Sequence, residues 1–177
     1  MTRDKLEKGV DILIDAIALA KKRGLPRFGW VVGGPKRWQE RYRKRAVTKG
    51  LLQHDIAFSD PVLASHVPDA IAACDVCVYP APHSKRSYFT RDTSPLKLFQ
   101  YLASGRPVIC ADLPPLQDVV DKSSVRLVHP GSAVSLFGGI LDVLEHPKEA
   151  KDRAKRGLKI AAENTWEKRV KKILEGL

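Results

Sequence analysis

The amino-acid sequence predicts an α/β fold: a single domain built on a doubly wound, Rossmann-like parallel sheet. Short apolar segments alternate with longer segments of helical periodicity along the whole chain. The predicted strands are apolar on both faces, as in parallel sheets that helices cover on both sides. A chain of 177 residues is long enough for one hydrophobic core and short for two. We therefore interpret residues 1–177 as one domain.

The first half of the chain is predicted to alternate helices with strands. Apolar residues from Val10 to Ile17 recur at helical spacing, and Gly24 ends that helix. The run RFGWVVGGP is apolar and ends in Gly-Gly-Pro, which predicts a buried strand and a tight turn. The remaining elements are a basic helix that ends near Gly50, a strand in DIAFS, a short helix in VPDAIAAC and a strand in DVCVYP.

The second half repeats this alternation after the polar loop APHSKRSYFTRDT. Its predicted elements are a helix in SPLKLFQYLASG, a strand in RPVICAD, a short helix around PLQDVV, a strand in VRLVHP and three amphipathic helices. Ligands of doubly wound sheets bind beyond the carboxyl ends of the strands. The loops that follow the strands are therefore the candidate site.

The net charge of +11 is the strongest compositional signal. A net positive charge of this size favours binding to nucleic acid, to an anionic membrane surface or to a phosphorylated ligand. Basic residues are concentrated in residues 35–50 and near the C-terminus, where they alternate with Glu or Asp. This pattern favours solvated helix faces first and a membrane-facing surface second. Aromatic residues make up 7% of the chain and mostly fall in predicted core positions, so we expect no nucleic-acid binding.

The sequence contains no candidate membrane span and no secretory signal. Its apolar runs are interrupted well before the roughly 20 residues that a spanning helix needs. Met1 is followed by the charged segment TRDKLEKG, which lacks an apolar core. We predict a cytoplasmic protein, with peripheral attachment to the inner membrane face as the further alternative.

Cysteine and histidine form no metal or redox motif. Cys74 and Cys77 make a C-x-x-C pair without a second pair elsewhere, and Cys77 and Cys110 fall in predicted buried strands. We interpret all three as small core residues. The five histidines show no metal-ligand spacing. We therefore expect no metal and no cofactor, and we assign no catalytic residue.

The stretch RDTSPLKLFQ predicts an anion site at a helix start. Pro95 suits the first helical position and Ser94 its N-cap, so the free amides up to Leu96 face the preceding loop. Such a helix end holds a phosphate without any lysine. Asp92 lies just before the helix and Gln100 on its second turn, so hydrogen-bonding side chains flank the anion site. A nucleotide sugar has the matching shape.

The segment SPLKLFQYLASGRPVICADLPPLQDVV resembles the C-terminal, donor-binding domain of GT-B retaining glycosyltransferases of family 4, the group 1 glycosyltransferases. In that family an acidic residue touches the sugar hydroxyls, and a Glu beyond a seven-residue spacer binds the ribose. The matching positions are Asp92 and Gln100. Gln keeps an acceptor and adds a donor, but it lacks the charge that makes carboxylate-to-diol hydrogen bonds strong.

The resemblance extends over nearly the whole chain. TRDKLEKGVDILIDAIALAKKRG is similar to the segment in which an Arg and a Lys clasp the donor diphosphate, which implies these roles for Arg3 and Lys8. VPDAIAACDVCVYP resembles the base-pocket segment, which implies that the backbone near Val67 approaches the nucleobase. WVVGGP is similar to the family's strand and Gly-Pro turn, and NTWEKRVKKIL resembles its closing Trp-containing helix.

The resemblance implies a retaining, hexosyltransferase-type enzyme of polysaccharide or glycolipid biosynthesis. It would transfer a sugar from a UDP- or GDP-linked donor to an acceptor hydroxyl. One alternative is a non-catalytic member that binds a nucleotide sugar or a partner protein. A basic nucleic-acid-binding domain is the less favoured alternative.

The chain begins where the first strand of a βαβ unit should already have ended, with only MTR ahead of the helical segment. In the usual doubly wound order that strand is central. The family's N-terminal, acceptor-binding domain is also not represented. We therefore expect a fragment that binds donor and transfers sugar poorly or not at all alone. It would require the N-terminal domain in cis or in trans.

Overall fold

The computed structural model describes residues 9–25, 27–83 and 96–176. Five strands and eight helices of the α type alternate along these ranges. The strands are β1 (Gly29–Val32), β2 (Ile56–Ser59), β3 (Cys77–Tyr79), β4 (Val108–Ala111) and β5 (Arg126–Val128). The helices are α1 (Val10–Lys22), α2 (Lys36–Thr48), α3 (Val67–Ala72), α4 (Leu96–Ala103), α5 (Pro114–Gln117), α6 (Ala133–Glu145), α7 (Pro147–Glu163) and α8 (Trp166–Glu175).

The strands are all parallel, as predicted, but they form two hydrogen-bonded groups. In one group β1 pairs with β2, with Gly29 opposite Ile56. In the other group the order is β3-β4-β5, with Cys77 opposite Val108 and Ile109 opposite Arg126. Within the described ranges, no strand pairing joins the two groups. Each of these strands falls in a segment that the sequence predicts to be a strand.

Helices cover both faces of the sheet, which confirms the doubly wound architecture. On one face α1 and α6 pack on Ile109 and Val128 through a cluster that includes Phe137. On the other face Leu98 and Leu102 of α4 pack on the second side of β3 and β4. β4 is buried along its whole length, as expected for a strand between two helical layers.

Strand β1 departs from the predicted burial on both faces. Gly29 is buried against Ile17 of α1 and Ile56 of β2, whereas Trp30 is 36% exposed and Val32 is 38% exposed. Neighbouring residues of a strand point to opposite faces, so one face of β1 is covered and the other is open. The expectation of two covered faces is therefore wrong for this strand.

Helix α1 connects the two strand groups. Its residues Ile12, Ala16 and Ala20 belong to the cluster around β4 and β5. Its residues Ile14 and Ile17 belong to a second cluster with Ile56 of β2. At its C-terminal end, Lys21 Nζ lies 2.7 Å from Asp55 Oδ2, immediately before β2. One helix thus spans the space between the two halves of the sheet.

No helix in the described part of the chain is long and apolar enough to cross a membrane.

Candidate functional site

The candidate site is the edge of the domain where the parallel strands end. The strands are parallel within each group, and α1 starts beside Pro80 after β3 and ends beside Asp55 before β2, so the loops that follow the strands meet on one side of the sheet. Gly33, which follows β1, approaches Pro61 after β2, at 3.8 Å from the ideal Cβ position to Pro61 Cα. The Gly131 N–H after β5 donates to the Ala81 carbonyl oxygen after β3 at 2.8 Å.

The start of α1 packs closely against the end of β3 at this edge. Gly9 has φ 67° and precedes the first turn of α1. A Cβ atom at Gly9 would lie 2.8 Å from the carbonyl carbon of Pro80, so any larger residue would push the two segments apart. The Gly9 carbonyl oxygen accepts the N–H groups of Ile12 and Leu13, and no side chain in the described part of the chain caps the helix there. The positive end of α1 therefore lies at the strand ends.

Gly131 makes a second close approach on the same edge. Its φ is 75°, and a Cβ atom there would lie 2.8 Å from the His83 backbone nitrogen. Sequence inspection missed both Gly9 and Gly131, although EKG before a helix and HPGS after a strand are local signals for such turns. The two glycines bring the loops after β3 and β5 and the start of α1 together.

Helix α4 presents two of the predicted site residues on one exposed face. Leu98 and Leu102 are 0% and 1% exposed and anchor the opposite side of the helix. Leu96 is 57% exposed, and Gln100 is exposed one turn later. Residues four apart share a helix face, so the structure places Leu96 and Gln100 on the same exposed face of α4, and their roles toward a ligand stay predictions.

Val67 begins α3 and is half-buried. Helix α3 runs from the carboxyl end of β2 to the amino end of β3. Its first residue therefore lies at the same edge as the start of α4, which runs from the carboxyl end of β3 to β4. The predicted base-binding and ribose-binding positions thus lie on two helices that start from one edge.

Five predicted site residues lie outside the described residues. They are the proposed diphosphate ligands Arg3, Lys8, Ser94 and Pro95 and the proposed sugar ligand Asp92.

The three cysteines are free thiols, as predicted for core residues. Cys77 and Cys110 are buried in β3 and β4, and Cys74 is half-buried. Burial raises the pKa of Cys77 and of Cys110 to about 12, so neither is a thiolate at neutral pH. Among the described residues, no group of His, Cys, Asp or Glu side chains has an arrangement that could hold a metal ion.

A cleft of about 350 Å³ lies between the segment that precedes β5 and helix α7, with Asp121, Arg156 and Lys159 on its walls. Residues 117–124 lead into the amino end of β5. This cleft is therefore at the edge opposite the strand ends, and we do not assign the candidate site to it.

These features define the class of protein: a doubly wound α/β domain whose candidate site lies at the carboxyl ends of its strands. The chain belongs to the group 1 glycosyltransferases, because the family model described as "Glycosyl transferases group 1" matches residues 2–146. No curated protein sequence matches the chain.

Solved structures of glycosyltransferases share the fold. HepE of Anabaena, in complex with UDP and glucose, superposes with a TM-score of 0.76 at 21% identity over 100% of this chain and 47% of its own. Sucrose-phosphate synthase of Thermosynechococcus elongatus gives 0.74 at 22% identity over 90% of this chain and 39% of its own. The C-terminal domain of a group 1 family protein of Francisella tularensis, LpcC, gives 0.68 at 19% identity over 89% and 79%. The fold is therefore that of the C-terminal half of a GT-B glycosyltransferase, and the chain spans about half the length of HepE.

Proposed function

We propose that this chain is the donor-binding domain of a glycosyltransferase and that it binds a nucleoside diphosphate sugar at the carboxyl edge of its strands. The observation that carries the proposal is the meeting of the uncapped start of α1 at Gly9 with the end of β3 at Pro80. An uncapped helix start at the ends of parallel strands suits a phosphate group. Family membership and the UDP complex of HepE support the same ligand class.

Each part of the ligand has a proposed partner in this chain. The backbone N–H groups of Ser94 and Leu96, at the helix start that Pro95 opens, would cap the diphosphate together with the side chains of Arg3 and Lys8. These positive groups would stabilise the charge that develops on the departing diphosphate. In the same arrangement, Asp92 would accept hydrogen bonds from the sugar hydroxyls, Gln100 would bind the ribose diol, and the backbone at Val67 would contact the base.

The proposed reaction of the complete enzyme is retaining transfer of a hexose to an acceptor hydroxyl. The bond from the anomeric carbon to the diphosphate oxygen breaks, and a bond to the acceptor oxygen forms. The acceptor would be held by an N-terminal domain, in cis or in trans. This chain by itself would bind the donor without efficient transfer. A non-catalytic nucleotide-sugar-binding role is the alternative that the neutral Gln100 favours.

Calorimetric titration of the chain with UDP, GDP, uridine and guanosine tests the phosphate contacts. We expect each diphosphate to bind more tightly than its nucleoside, because the proposed cations and amides all act on phosphate. The Lys8→Gln variant should lose roughly 1 kcal/mol of binding to the preferred diphosphate, as one charge-assisted hydrogen bond is removed. Lys5→Gln, three positions away, is the matched control and should bind normally. Equal affinity for a diphosphate and its nucleoside would refute the diphosphate site.

The sugar end of the ligand is tested separately. Asp92→Asn should weaken binding of the nucleotide sugar while leaving binding of the bare nucleotide unchanged, because its proposed partner is a sugar hydroxyl. A loss of affinity for both ligands alike would contradict this placement of the sugar.

A second proposed property is peripheral attachment of a cytoplasmic protein to an anionic membrane. Helix α8 exposes an apolar face formed by Trp166, Val170, Ile173 and Leu174, which are 67%, 51%, 57% and 66% exposed. Lys168, Arg169 and Lys171 lie on the same helix. An amphipathic helix with Trp on its apolar face and cations beside it is suited to the surface of an anionic bilayer.

A further inference from the structure

The cleft between the segment that precedes β5 and helix α7 has a tightly hydrogen-bonded turn as one wall. Asp121 Oδ1 accepts the N–H groups of Ser123 and Ser124 at 2.9 and 3.1 Å, and their hydroxyl groups at 2.7 and 3.0 Å. The Val125 N–H donates to the Asp121 carbonyl oxygen at 3.0 Å, and Ser124 is 1% exposed. Because these hydrogen bonds close within the turn, this wall keeps its shape without a ligand.

Helix α7 forms the other wall and packs directly on the turn. Gly157 is buried, and a Cβ atom there would lie 3.6 Å from the Ser124 carbonyl oxygen and 2.8 Å from Leu102 Cδ2. The Arg156 Nε–H donates to the Ser123 carbonyl oxygen and so links the helix to the turn. Contacts from both walls therefore set the shape of the cleft.

The α7 wall carries two cations that no carboxylate neutralises. Arg156 and Lys159 both line the cleft, and residues three apart share a helix face. Among the described residues, neither side chain forms an ion pair, and the one hydrogen bond of Arg156 goes from Nε to a backbone carbonyl. Its two Nη groups are therefore left for a ligand. A guanidinium fork with an ammonium group beside it is suited to a phosphate group.

The turn wall carries hydrogen-bond acceptors. Asp118 lines the cleft, is exposed and has no hydrogen bond or ion pair with any described residue. The Gln117 Nε2 group donates to Asp112 Oδ1 at 2.7 Å, which leaves the Gln117 Oε1 atom as an acceptor. Val119 and Ile160 are half-buried and add apolar contacts. A carboxylate and an amide oxygen accept hydrogen bonds from hydroxyl groups, so this wall is suited to a polyhydroxylated ligand.

We propose that this cleft is a second ligand site, which binds a small polyhydroxylated phosphate ester such as a hexose phosphate. The phosphate lies against Arg156 and Lys159, and the hydroxyl groups face Asp118 and Gln117. The volume of about 350 Å³ is near the lower end of small-molecule pockets, roughly 300–1,000 Å³, and suits a monosaccharide better than a nucleotide sugar. The turn leads into the amino end of β5, so this site is separate from the proposed donor site at the strand ends.

Titration calorimetry of the full chain with glucose 6-phosphate, inorganic phosphate and glucose tests the site, each with and without saturating UDP. Glucose 6-phosphate should bind more tightly than either of its two parts, because only the ester contacts both walls. UDP should leave this binding unchanged. No saturable binding at roughly 10 mM glucose 6-phosphate would overturn the proposal. Competition by UDP would also overturn it, because the ligand would then lie at the strand ends. A chain that binds glucose 6-phosphate but no UDP would refute the donor site alone.

The phosphate end is tested by Lys159→Gln, an exposed position that can change without loss of packing. This variant should bind glucose 6-phosphate roughly fivefold more weakly, because one charge-assisted hydrogen bond is lost. Lys151→Gln is the matched control, since Lys151 is exposed on the same helix and does not line the cleft. An equal loss in both variants would mean that net charge, and not the cleft, attracts the ligand.

The hydroxyl end is tested by Asp118→Asn. The preference for glucose 6-phosphate over inorganic phosphate should fall about threefold, because the charge-assisted hydrogen bond to a sugar hydroxyl is weakened. Binding of inorganic phosphate should not decrease, since a negative charge is removed from the cleft. If both ligands change by the same factor, Asp118 does not contact the sugar and the assignment of a polyhydroxylated ligand is wrong.

Discussion

Gln100 lies on the exposed face of α4, one turn beyond Leu96. If it binds the ribose diol as proposed, Gln100→Glu should strengthen nucleotide binding by roughly 1 kcal/mol, because a charged acceptor makes stronger hydrogen bonds. Stability should change little, since the position is hydrated. Titration calorimetry with the preferred diphosphate measures the effect. Gln53→Glu, on an exposed turn, is the control for added charge. Unchanged nucleotide affinity in Gln100→Glu would mean that Gln100 does not contact the ribose.

Asp55 links the C-terminal end of α1 to the segment before β2 through an ion pair with Lys21. The Lys21 ammonium donates to its carboxylate at 2.7 Å, and the Leu52 N–H donates to the same oxygen at 2.8 Å. The hydrogen bond from Lys21, followed by that from Leu52, lowers the pKa of Asp55. A carboxyl group with a lowered pKa in the folded state stabilises the fold above its unfolded pKa of about 3.9, and this contribution is lost as the pH falls through the folded value.

Asp55→Asn should therefore lower the free energy of unfolding at pH 7, and the difference from the unmodified chain should shrink as the pH falls below about 4. Urea unfolding over a pH series measures this difference. Asp60→Asn, at the exposed position that directly follows β2, serves as the control and should show little change at any pH. A loss in Asp55→Asn that is independent of pH would mean that packing, and not the carboxylate charge, is responsible.

At the scale of the element, two adjacent glycines in α6 should respond in opposite directions to the same change. A Cβ at Gly138 would meet nothing within 4 Å, whereas a Cβ at Gly139 would lie 2.7 Å from Val128 Cγ1 and 3.4 Å from Ile109 Cγ2. Gly138→Ala should stabilise the protein by about 0.5–1 kcal/mol through helix propensity. Gly139→Ala should destabilise it by about 1–2 kcal/mol, because α6 must move away from the sheet.

Urea unfolding of the two alanine variants compares them directly, since each adds the same methyl group to the same helix. Stabilisation by Gly139→Ala would contradict the close packing of α6 on β4 and β5.

The elements themselves were predictable from local sequence because each carries its own periodicity and stop signal. Helix α1 ends at Lys22, just before the predicted stop at Gly24. The predicted strand in RPVICAD is β4, and Cys110 within it is 0% exposed, as its apolar neighbours indicated. The exposed face of β1 was not predictable, because Trp30 and Val32 are apolar like core residues and only their neighbours in space decide their burial.

At the scale of the whole molecule, the charge of +11 has a measurable consequence. If α8 and the basic helix faces attach to an anionic bilayer, binding to phosphatidylcholine vesicles should increase when phosphatidylglycerol is added. Binding should decrease with salt, because the Debye length falls from about 10 Å at 0.1 M to about 3 Å at 1 M. Vesicle co-sedimentation measures both effects.

Replacing Trp166 and Ile173 together by Ser tests the apolar face of α8 while leaving the charge of the protein unchanged. This variant should bind anionic vesicles less tightly. Binding that depends on neither lipid charge nor salt would leave the basic residues as ordinary solvated surface.

The amino-acid sequence by itself determined the alternation of helices and strands, the parallel direction of the strands and the glycosyltransferase family. Periodicity, caps and apolar runs act over a few neighbouring residues, so a linear reading captures them. Only the tertiary structure decided that α1 packs on both groups of strands and that Gly9 meets Pro80. These contacts join residues that are far apart in the chain. Their stabilising energy comes from burial against partners that only the fold brings together, so no local sequence pattern specifies them.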